Sequence, residues 1–192
     1  MHQLKYLIAT ILLLFAHSAF ADLFNIQLSN DSGRFTYATE VFGGQYGPVD
    51  LETSLYFNQD NDKMADVGLM VRNDTLDNPL VISIGSRVYY GDVGNGEGQT
   101  HATFAAIAIG GELLFIPGNL GGLGLGVYYF IAPSVVTFMD ADNFSEYGIR
   151  MTYGITKQAD VAVGYQKIKT NLNDGTTLDI DSSVFFGITL RF

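Results

Sequence analysis

Hydrophobic residues recur at every second position along most of this chain. The segment Ser182 to Phe192, SSVFFGITLRF, carries Val184, Phe186, Ile188, Leu190 and Phe192 in one register. Period-two alternation predicts a strand with two unlike faces. Ten such segments are expected, at roughly 23–29, 34–42, 49–58, 64–72, 80–90, 103–115, 123–132, 146–155, 160–168 and 180–192. One register gathers Phe24, Ile26 and Leu28, then Leu51, Leu55 and Phe57, then Val67, Leu69 and Val71. It continues through Ile107, Ile109 and Leu113 to Tyr147, Ile149, Met151 and Tyr153. Lys167, at a strand end, is the one charge in it. The opposite register holds Arg34, Glu40, Asp50, Glu52, Asp66, Arg72, Arg87, Glu112, Glu146, Arg150, Asp181 and Arg191.

Alternation alone fits a soluble sandwich or lipocalin with its apolar face inward. The charges favour the inverted arrangement. All five arginines fall on the polar face, whereas Lys63, Lys157, Lys167 and Lys169 lie in turns or near strand ends. Arginine's planar fork suits enclosed pairing with carboxylates, and lysine's ammonium prefers water. The polar face therefore reads as enclosed and the apolar face as continuous and outward. Tyr37, Phe57, Tyr90, Phe115, Tyr129, Tyr153 and Phe192 are placed to form aromatic girdles at two membrane interfaces. A bilayer admits strands only as a closed barrel, because every backbone amide needs a partner. The fold class predicted is an all-β, closed, antiparallel transmembrane barrel of about ten strands, with eight as the alternative.

The first residues, MHQLKYLIATILLLFAHSAFAD, place Lys5 before an apolar run and end in Ala19-Phe20-Ala21. This predicts a signal peptide at 1–21 cleaved after Ala21, leaving one domain at 22–192. The removed segment has one basic residue and no acid, so the net charge moves from −10 to −11. No basic cluster remains to bind nucleic acid. Cysteine is absent, which excludes disulfides, thiolate metal sites and a lipidated cysteine. No later stretch approaches the ~18 apolar residues of a helical span. With the N-terminus in the periplasm, 43–48, 73–79, 116–122 and 156–159 are periplasmic turns. The connections 30–33, 59–63, 91–102, 133–145 and 169–179 are then external, the last three the longest.

The stretch LGGLGLGVYYFIAPSVVTFMDADNFSEYGIRMTYGITKQADVAVGYQKI, followed by LDIDSSVFFGITLRF, resembles the YfaZ-type outer-membrane proteins of Gram-negative bacteria. The resemblance is carried by residues 80–192. It implies a small outer-membrane barrel and brings no catalytic residues.

Candidate chemistry is sparse. His101 is the only histidine beyond the signal segment, and His101-Ala102-Thr103 lacks the serine of a lipid A-modifying triad, so no enzyme is expected. Acidic clusters at Asp60 and Asp62, at Asp140, Asp142 and Glu146, and at Asp174, Asp179 and Asp181 read as a solvated rim, with a divalent-cation site as the sharper alternative. The glycines of GGLGLG precede no helix, so they make no phosphate loop. No cofactor or metal is expected. The functional reading rests on a lumen network of Glu40, Glu52, Asp66, Arg72, Arg87, Glu112, Glu146, Arg150 and Arg191. A lumen of this strand number is filled by side chains. The expected role is structural or surface-interacting, with a narrow porin-like channel as the alternative. Val184, Phe186, Ile188, Leu190 and Phe192 also form the expected C-terminal assembly signal. The partners expected are outer-membrane lipid and lipopolysaccharide, with periplasmic chaperones and the barrel assembly machinery during biogenesis. A monomer is expected.

Overall fold

The computed structural model describes residues 22–44, 47–73, 79–94, 96 and 100–192, so the signal segment expected at 1–21 lies outside the described residues. The strands are β1 (Asp22–Leu28), β2 (Ser32–Gly44), β3 (Gly47–Asn58), β4 (Lys63–Arg72), β5 (Leu80–Val93), β6 (Ala102–Phe115), β7 (Leu123–Ala132), β8 (Thr137–Met139), β9 (Ala141–Gly154), β10 (Ala159–Leu172) and β11 (Thr177–Arg191). Each long strand pairs antiparallel with a neighbour on either side, and β1 meets β11 through Leu23–Arg191 to Leu28–Phe186. The sheet closes on itself as a ten-stranded barrel, which sets aside the eight-stranded alternative. The eleventh strand, β8, pairs only with β6 above the end of β7 and does not span the wall. Pro133 ends β7 because it lacks an N–H, and the Thr137 hydroxyl then donates to the Ala132 and Pro133 carbonyl oxygens.

The apolar register faces outward around the whole wall. Leu69, Ile84, Val88, Ile109, Leu113, Val127, Ile149, Val163 and Phe186 are all exposed. Such a belt would aggregate in water and matches hydrocarbon in a bilayer. Its upper edge carries Phe57, Tyr90 and Tyr129, and its lower edge Phe42, Phe115, Tyr153 and Phe192.

At the end opposite the termini, the strands run further than the pattern predicts. β9 begins at Ala141 rather than 146, β10 continues to Leu172 rather than 168, and β11 begins at Thr177 rather than 180. The connections there shrink to 94–101, 133–140 and 173–176, so the last is short rather than among the longest. The reason is an inversion of polarity. Above the belt the outer face meets water and carries Asp92, Lys167, Lys169 and Asp179, while Val93, Phe104, Phe144, Ile168, Leu172, Leu178 and Ile180 point inward and are buried. A bulge between Ile168 and Lys169, opposite Asp181 and Asp179, adjusts the register at this crossover. The compact apolar core lies in this projecting half of the barrel.

Candidate functional site

The lumen is divided into two halves of opposite character. The half nearest the termini is a cavity of about 650 Å³ that runs from the turns around Gly122 and Lys157 to the middle of the barrel. The other half is filled by buried side chains. Tyr89, Phe104, Phe130, Phe144 and Ile168 are fully buried there, with Phe144 4.5 Å from Tyr89 and 5.3 Å from Phe104 between ring centres.

The inward register of the strands places an ion pair at each level of the cavity. At the mouth, Arg191 pairs with Asp160 across neighbouring strands β11 and β10. Arg72 pairs with Asp50 at 3.2 Å across β4 and β3. Deeper, Arg87 reaches over β4 to Glu52 on β3 at 2.6 Å, and Arg150 reaches over β7 to Glu112 on β6. At the floor, Arg34 of β2 crosses the lumen to Glu146 of β9. The Tyr89 hydroxyl donates to the second Glu146 oxygen at 2.8 Å. The Arg87 guanidinium lies 4.1 Å from the centre of the Phe130 ring, which caps it from the packed side.

Of the network expected from sequence, Glu52, Arg72, Arg87, Glu112, Glu146, Arg150 and Arg191 all line the cavity. Asp66 is buried on β4, within electrostatic reach of Arg34 and Arg87. Glu40 stands apart, half-buried at the bulge where β2 loses register with β3. Arg34, Asp50, Asp160, Tyr89 and Tyr128 complete the site and were not in the expected network. The alternation pattern carries their signal, because each falls in the inward register of its strand.

The acidic clusters are drawn into local structure. Asp62 accepts from the Asn58 amide at 3.0 Å. Asp140 accepts the Thr103 N–H at 2.9 Å. Asp181 accepts from Ser32 at 2.8 Å and Gln166 at 2.6 Å. In the 173–176 turn, Asp174 accepts the Thr176 N–H at 2.8 Å, and that bond holds its carboxyl below the usual carboxylate range. Among the described residues no group of three or more His, Asp or Glu side chains is arranged to hold a metal. His101 sits at the loop end, its Nε2 3.0 Å from an oxygen of Asp92, with both side chains exposed.

A closed barrel with an apolar outer belt and its charges enclosed is an outer-membrane β-barrel. The family model described as YfaZ precursor matches residues 1–192, and the chain belongs to that family. The match takes in the N-terminal third as well as the 80–192 stretch that carries the resemblance in sequence. No curated protein matches. Solved structures similar to this chain include the outer membrane channel DcaP of Acinetobacter baumannii, 15% identical with a TM-score of 0.41, covering 90% of this chain and 62% of that one. A bacterial polysaccharide outer membrane secretin is 11% identical with a TM-score of 0.47, over 92% of this chain and 66% of that one. A KdgM porin is 8% identical with a TM-score of 0.48, over 90% of this chain and 99% of that one. The chain thus spans less than two thirds of the first two.

Proposed function

We propose that this protein is a sealed, non-conducting outer-membrane barrel with a structural or surface-interaction role. Its charged cup opens to the periplasm, and the protein is not an enzyme. The observation that carries this reading is the packed loop-end half of the lumen, where Tyr89, Phe104, Phe130, Phe144 and Ile168 leave no water-accessible surface. Strands that project past the belt at the end opposite the termini support the periplasmic orientation of the cup. The His101–Asp92 pair is exposed and lies far in register from the cup.

A narrow channel is the second reading, favoured by a cavity that penetrates to Arg34 and Glu146. Recording from the purified, refolded protein in planar bilayers separates the two. Silent membranes at all voltages are the expected result. Discrete conductance steps that change size in Arg87→Ala would establish the channel instead.

A further inference from the structure

We propose that the outer face of β9 and β10, just above the belt, binds the phosphorylated headgroup of an outer-leaflet glycolipid; the site rests on the orientation given above. Lys167 and Lys169 both project from the outer face of β10. Two residues apart on one strand, they stand about 7 Å from each other along it. Lys167 is level with Tyr147 in register, and Lys169 is one step higher, opposite Ser145. At the level of Lys167, Tyr129 and Tyr147 pair at 6.1 Å between ring centres, and just below it Tyr165 shares a 2.8 Å hydrogen bond with Ser182. Tyrosines mark the depth where hydrocarbon gives way to headgroups, so the two ammonium groups stand at the height of the lipid phosphates.

Two observations distinguish this patch from an ordinary rim. Asp179 pairs with Lys167 at 3.3 Å and stands opposite Lys169 in register, so two lysines share one carboxylate, and Lys169 forms no ion pair among the described residues. The patch is therefore locally positive on a chain with a strongly negative total. Next to β9, the break in the wall after Pro133 exposes Val135, Phe138 and Met139. Phe138 stands opposite Ala105, close to the level of Tyr90, where acyl chains of the same lipid would pack. Lysine serves phosphate as a mobile point charge, with no fixed geometry to satisfy.

The test uses the folded protein in detergent, titrated with bisphosphorylated lipid A, with the same lipid dephosphorylated, and with phosphatidylglycerol. Binding is read by native mass spectrometry and by the heat-modifiable gel transition. Wild type should prefer bisphosphorylated lipid A, and Lys167→Ala/Lys169→Ala should bind it about tenfold or more weakly while keeping the folded gel mobility. Equal binding of the dephosphorylated lipid, or an unchanged double variant, would overturn the site. Equal binding of phosphatidylglycerol would overturn the commitment to a glycolipid. Labelling a cysteine placed at Thr176 on intact cells checks the orientation separately, so a failure there is not mistaken for a failure of the patch.

Discussion

Glu146 is fully buried in the middle of the lumen and answers to two partners, Arg34 and Tyr89. A buried ion pair is a poor source of net stability, because desolvation of both charges offsets much of their attraction. Removing one partner is a different matter, since the other charge is then left uncompensated. Glu146→Gln should destabilise the barrel by about 3–5 kcal/mol in urea unfolding from lipid vesicles. Replacing both, as Arg34→Met/Glu146→Leu, should recover most of that loss. A single variant as stable as wild type would show that the pair is dispensable. The Arg34 Nε and Nη2 atoms are buried without hydrogen-bond partners, so among the described groups Glu146 is the one that hydrogen-bonds the guanidinium.

At the scale of the strand, the inner wall solves a packing problem with one repeated device. Gly91 faces Phe104, Gly110 faces Phe130, Gly148 faces Tyr128 and Gly164 faces Phe185, each across a strand pair. The ring of each aromatic lies over its glycine. A Cβ at Gly91 would stand 2.4 Å from the Phe104 ring, and one at Gly164 would stand 2.6 Å from the Phe185 ring. Aromatic cover of a strand glycine restores the packing the missing side chain forfeits. At Gly164 the Ile149 backbone oxygen would stand at 2.5 Å as well, so a larger residue there must displace both the ring and the neighbouring strand. Gly164→Val should cost about 1–3 kcal/mol, measured by the same urea unfolding, and a neutral effect would argue against this close fit. The alternation puts these glycines and aromatics in the inward register of their strands. Their one-to-one pairing is not legible in the sequence, because register across strands depends on turn and bulge geometry that alternation does not encode. The same limit explains the strand ends. From Lys167 onward the chain keeps its period of two but exchanges which face is apolar, so an apolar register followed outward breaks at the residue where the solvent changes.

For the whole molecule, the decisive sequence feature was the segregation of arginine from lysine. Every arginine is paired inside the barrel, and Lys63, Lys167 and Lys169 stand outside it above the belt. Fold and belt were thus readable from one chain, whereas the division of the lumen into a cup and a packed half was not. That division depends on which inward residues meet across the barrel, as Arg34 and Glu146 do from strands 112 residues apart. The belt also bears on assembly. Phe192 and Phe42 both stand 67% exposed at the termini end. As interface anchors the two should be equivalent. Phe192 differs by closing the seam, where its backbone exchanges two 3.0 Å hydrogen bonds with Asp22, and by finishing the apolar register expected to be read during assembly. If Phe192 serves only as an anchor, Phe192→Ala and Phe42→Ala should lower the amount of heat-modifiable protein in outer-membrane fractions alike. If it also carries the address, Phe192→Ala should lose several-fold more folded protein than Phe42→Ala, with the unfolded chain accumulating in the periplasm. The second outcome is the one expected, and equal levels in the two variants would remove Phe192 from the assembly signal.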